Sequence, residues 1–116
     1  MNCYYCERIL TDSGGTRKTK DHVIPMALGG VNHKTNLVDC CHDCNSLKGS
    51  KTLHQFVVFI ERKIRRQRKV VAYSPKELSN IVKNTKSLID NCFLVYEKRL
   101  FADKYHYEYY RDNYAV

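Results

Sequence analysis

Two Cys-x-x-Cys pairs, Cys3/Cys6 and Cys41/Cys44, stand on either side of the 34 residues 7–40 in a chain of 116. A two-residue spacer lets both sulfurs of a pair reach one ion at about 2.3 Å, and two such knuckles close a tetrahedron. Four thiolates leave no open coordination position, so the metal implied is a structural Zn²⁺ and not a catalytic one. A chain this short is expected to form one compact domain with a modest core, which a structural metal would reinforce. Disulfides are the competing reading of six cysteines. Met1-Asn2-Cys3-Tyr4-Tyr5-Cys6 has neither the basic nor the apolar region of a secretory signal. A reducing, cytoplasmic setting then favours metal ligation. No apolar run is long enough to span a membrane, so no membrane partner is expected. Cys40 is an extra thiol that would make a poorer, three-residue-spaced knuckle with Cys44, and Cys92 reads as a core residue.

Local signals divide the chain into a zinc-stabilised core over residues 1–51 and a helical extension over 52–116. Lys20 to Ile24 reads as a short strand ended by Pro25, Asn36 to Cys40 as a second, and the knuckle at Cys41 passes into a helix near Asn45 that Gly49-Ser50 breaks. Thr52 with Gln55 forms a capping box for a basic helix over about 53–69, whose apolar face is Leu53, Phe56, Val57, Ile60 and Ile64. Ser74, Pro75 and Glu77 start a long amphipathic helix over about 75–100, with Leu78, Val82, Thr85, Ile89, Cys92 and Tyr96 in its stripe. The aromatic segment from Tyr105 to Tyr110 is left without an assignment.

Charge is uneven along the chain. Residues 52–72 carry six Lys and Arg against one acid, of a formal net charge of +8 for the whole chain. A local excess of that kind points to a polyanion. At 100° per residue, Arg62, Arg65, Arg66 and Lys69 fall within about a third of a turn, opposite the apolar face. That side is the expected DNA contact.

Between the knuckles the chain reads Asp21-His22-Val23-Ile24-Pro25, then Gly29-Gly30 and Asn36-Leu37, and the second knuckle continues into Asn45-Ser46-Leu47-Lys48-Gly49. With Cys3 and Cys6 upstream, this composite over residues 3–51 resembles the HNH endonuclease family, in the family's order. The last motif position is often His and here is Asn45, which makes the pattern an H-N-N variant. The resemblance implies an α+β chain with a small ββα-metal (His-Me finger) core. His22 would end the first strand as general base, Asn36 would hold the loop around it, and Asn45 would ligate metal from the helix. Lys48, one turn later, is expected to contact a phosphate.

The residue types suit that chemistry. Imidazole is a good proton acceptor near neutral pH, and a divalent ion can clamp a scissile phosphate. The oxygens of Asp21 and Asn45 are hard donors suited to Mg²⁺ or Mn²⁺. The implied activity is metal-dependent DNA hydrolysis by a bacterial or phage-encoded enzyme, a monomer or a homodimer through the C-terminal helix. A zinc-stabilised DNA-binding module without catalysis is the alternative, and the presence of Asp21, His22 and Asn45 together favours the enzyme. A zinc-ribbon protein-interaction domain would explain the knuckles but neither the Asp-His pair nor the basic helix.

Overall fold

A computed structural model describes residues 1–66, 73–95, 100–101 and 104–114. The fold is α+β. Two antiparallel strands, β1 (Lys18–His22) and β2 (Leu37–Cys41), form a hairpin in the register Lys18 to Cys41 and His22 to Leu37. Four helices follow among the described residues: α1 (His42–Lys48), α2 (Leu53–Arg65), α3 (Pro75–Val95) and α4 (Lys104–Tyr114). Both strands lie within a few residues of their expected places. The second half of the chain is helical, as its periodicity predicts.

The helix boundaries have local causes. Cys41 caps α1 with its sulfur, accepting from the Cys44 N–H at 3.3 Å, so the knuckle and the helix start are one structure. Gly49, at φ 52°, ends α1. Thr52 and Gln55 exchange both bonds of the capping box at the start of α2, and Ser74 and Glu77 do the same before α3. The expected extent of the basic helix to residue 69 and of the long helix through 96–99 lies outside the described residues. Leu100 itself is in a turn.

Two buried clusters join the halves of the chain. The first packs the four knuckle cysteines, Tyr5 and Cys40 against Phe56 and Ile60 of α2 and Leu78 and Ile81 of α3. The second packs Val23 and Ile24, just after His22, against Leu53, Leu100, Phe101, Tyr107 and Tyr110. Each fully buried apolar side chain contributes about 1.5–3 kcal/mol, so both contacts hold the site region firmly. The unassigned aromatic segment is therefore α4, and it backs the loop that follows His22. Ile64 departs from expectation, since it is 40 % exposed. On α3, over residues 75–90, the buried residues are Leu78, Ile81 and Thr85, with Val82 only partly covered, and the side chain of Cys92 lies outside those described.

Candidate functional site

The four sulfurs of Cys3, Cys6, Cys41 and Cys44 lie within 4.8 Å of one another, and all four residues are buried. The Cys6 and Cys41 sulfurs are 3.8 Å apart. A tetrahedron with Zn–S bonds of about 2.3 Å has edges of roughly 3.8 Å, so the donor set fits one zinc ion. Hydrogen bonds from Cys3, then Cys44 and Cys6, hold the Cys41 thiol well below its usual range. The same sulfur contacts push Cys44 and Cys6 above their usual range, so a metal binding all four as thiolates would displace protons. Cys40 stands apart from the cluster. Its side chain meets Thr19 Oγ1 at 3.4 Å, and burial first of all pushes its pKa up to about 11.

The knuckles are tied to the hairpin. The Tyr4 N–H donates to the Asp39 carbonyl at 2.9 Å, and the Glu7 N–H closes a turn onto the Cys3 carbonyl with Glu7 at φ 70°. Alternation along β1 then separates Asp21 from His22. Asp21 faces inward and is 4 % exposed, while His22 is half-buried on the other face. Asp21 accepts from the Tyr5 hydroxyl at 2.6 Å and pairs with the Lys48 ammonium at 3.1 Å. Burial and the neighbouring Asp21 charge push the Tyr5 pKa up, so the phenol stays a donor.

Lys48 corrects one expectation. It is fully buried, and its ammonium also donates to the His22 carbonyl at 3.1 Å. An ammonium so enclosed presents no surface to a DNA phosphate. It acts inside the protein, fastening α1 to the end of β1.

His22 has a partner that the motif does not contain. Its Nε2 lies 3.0 Å from Asn32 Oδ1. An amide oxygen only accepts, so Nε2 is the donor in this bond, and in the neutral ring Nδ1 keeps its lone pair. Sequence reasoning passed over Asn32 because it lies in a loop with no marked spacing to His22.

Asn36 is fully buried and staples the loop after His22. Its Oδ1 accepts from the Ile24 N–H at 2.9 Å, and its Nδ2 donates to the carbonyls of Ile24 and Val31 at 3.0 and 2.9 Å. The Val23 N–H donates in turn to the Asn36 carbonyl at 2.9 Å. Gly29 and Gly30 permit this closure. Gly29 sits at φ 95°, and a Cβ on Gly30 would collide with the Ile24 carbonyl and crowd the Asn36 amide.

Asn45 projects from α1 onto β1, where its amide nitrogen donates to Thr19 Oγ1 at 3.1 Å and to the Lys20 carbonyl at 3.3 Å. The carboxylate of Asp21 and the amide oxygen of Asn45 thus come from facing elements and fit a hard divalent cation in donor type. Lys48 competes for the same carboxylate. A cation binding at Asp21 would have to share it with, or displace, the ammonium.

Arg62, Arg65 and Arg66 are exposed at the end of α2, and Lys69 lies outside the described residues. A cavity of about 510 Å³ on α2, lined by Lys51, His54, Gln55, Phe59, Arg62 and Asn113 among others, includes neither His22 nor a knuckle cysteine.

A zinc-knuckled β-hairpin packed on a helix, with a histidine at the strand end, is the architecture of this site. Residues 3–58 match the family model described as HNH endonuclease, and the resemblance read from the sequence is borne out. The matched segment is 56 of the chain's 116 residues, and the family's description points to a nuclease-type hydrolase. No match is found among curated proteins or solved structures. No helix among the described residues is long and apolar enough to cross a membrane.

Proposed function

We propose that this protein is a metal-dependent DNA endonuclease in which His22 is the general base. The observation that carries the reading is the bond between His22 Nε2 and Asn32 Oδ1, which orients the ring with Nδ1 available. Nδ1 takes a proton from the water that attacks the phosphorus, the ester bond to the leaving sugar oxygen breaks and that oxygen is protonated from solvent. General-base assistance of this kind is worth about a hundredfold or more. A divalent ion on Asp21 and Asn45, Mg²⁺ or Mn²⁺, would supply positive charge against the charge building on the phosphate. Asn36 and Lys48 keep the His22 backbone in place, the first through the following loop and the second through the His22 carbonyl. Arg62, Arg65 and Arg66 hold the duplex through its phosphates, without reading its sequence.

The competing reading is a DNA-binding module without catalysis, which the basic end of α2 would also serve. Supercoiled plasmid incubated with the purified chain and Mg²⁺ or Mn²⁺ separates the two. Conversion to nicked or linear DNA is the expected result, lost in His22→Ala. Binding to the plasmid with no strand scission under either ion leaves only the binding module.

A further inference from the structure

Arg8 belongs to no motif, yet its guanidinium sits between the two knuckles with 14 % of the side chain exposed. Nε lies 3.2 Å from the Cys6 sulfur, and Nη2 lies 3.2 Å from the Cys41 sulfur and 3.2 Å from Asp43 Oδ2. Its carbon stands 4.5 Å from the centre of the Tyr73 ring, and the Tyr73 hydroxyl is 3.0 Å from the Cys44 sulfur. One planar group therefore touches a sulfur from each knuckle and rests on a tyrosine that touches a third sulfur.

A tetrathiolate zinc centre carries two net negative charges in a buried setting, which an uncompensated core tolerates poorly. Hydrogen bonds to the sulfurs draw off part of that charge and fix where each lone pair points. A rigid fork of N–H donors does this for two ligands at once. Tyr73 immediately precedes the Ser74 cap of α3. Asn80 and Asn84 of that helix also donate to the carbonyls of Cys6 and Tyr5, at 3.2 and 2.9 Å.

We infer that Arg8 and Tyr73 form the outer shell of the zinc centre, setting how firmly the thiolates hold the metal and coupling its occupancy to the seating of α3. The inference rests on the reading of the four cysteines as a zinc site. Elemental analysis of the wild-type chain tests that reading separately: about one zinc per chain upholds it, and zinc-free folded protein removes both.

The test compares the full-length wild type with Arg8→Gln, Arg8→Lys and Tyr73→Phe. Zinc release to a coloured chelator should be faster in Arg8→Gln by about 10–100-fold, the usual effect of losing an outer-shell partner. Tyr73→Phe keeps the ring beneath Arg8 and should show a smaller acceleration. In the cobalt-substituted proteins, the sulfur-to-cobalt charge-transfer band should move to lower energy in Arg8→Gln, because thiolates without N–H donors give up electrons more readily. A merely structural arginine would not move that band. Wild-type release and an unshifted band in Arg8→Gln overturn the role of Arg8, and wild-type release in Tyr73→Phe overturns that of Tyr73. If Arg8→Gln does not fold, Arg8→Lys decides on the same two readouts, since it keeps the charge and loses the fork.

Discussion

The Lys48 ammonium and the Asp21 carboxylate meet at 3.1 Å with their side chains 0 % and 5 % exposed. Two charges withdrawn from water in this way need each other and further hydrogen bonds. Tyr5 supplies one to the carboxylate, and the His22 carbonyl takes one from the ammonium. The pair therefore joins knuckle, strand and helix at the residue next to the proposed base. Lys48→Met should cost about 3–5 kcal/mol of stability, because the carboxylate is left buried without a counter-charge. Asp21→Asn combined with Lys48→Met should cost clearly less than the two single changes added together. Urea unfolding of the four proteins measures this, and strict additivity would mean that the pair is not coupled.

His22→Ala should lose cleavage by about a hundredfold or more while keeping its zinc and its affinity for DNA. Asn32→Ala leaves the imidazole in place without its partner, and a loss of about tenfold is expected from the freed ring. Single-turnover cleavage rates check both. Equal rates in wild type and Asn32→Ala would show that the ring is oriented by something else.

Removing a zinc ligand should act on folding before it acts on chemistry. Cys3→Ser or Cys41→Ser should release the metal and unfold the N-terminal half, because the binding free energy of a structural zinc is folding free energy. Cys40→Ser should leave the zinc content unchanged, since that sulfur stands outside the cluster. Metal content with far-UV circular dichroism distinguishes these outcomes.

Burial lowers the pKa of His54 from its ordinary 6.5. The unfolded chain therefore takes up this proton at a higher pH than the folded one. The stability associated with a neutral His54 is present above about pH 6.5 and is lost as pH falls through the folded-state value. His54→Gln should flatten this part of the acid limb when urea midpoints are followed from pH 7 to pH 5. Parallel wild-type and variant curves would assign the acid sensitivity to other groups.

The exposed cations of α2 should govern how DNA binding responds to salt. Changing Arg62, Arg65 and Arg66 together to Gln should weaken binding to all duplexes alike and flatten log affinity against log salt by up to roughly three units. Fluorescence anisotropy at several salt concentrations reads both quantities. An unchanged slope would place the DNA on another face.

Short-range relations were legible in the sequence. The spacing of Cys3, Cys6, Cys41 and Cys44, the two capping boxes and the order of Asp21-His22, Asn36 and Asn45 each involve neighbours along the chain or a metal's fixed demand for ligands. Those signals determined the four-cysteine cluster, the hairpin-and-helix layout and the family resemblance. Packing across the chain decided the rest. Strand alternation separates Asp21 from His22, but only the approach of α1 and Tyr5 shows that Asp21 is buried and that Lys48 turns inward to meet it. The choice of Ile81 over Val82 for the core depends on how α3 is rotated against α2. Asn32 reaches His22 only because Asn36 closes the intervening loop, and Arg8 reaches two sulfurs only once the knuckles converge. These contacts arise from three-dimensional proximity between residues with no regular spacing, so the folded chain alone brings them together.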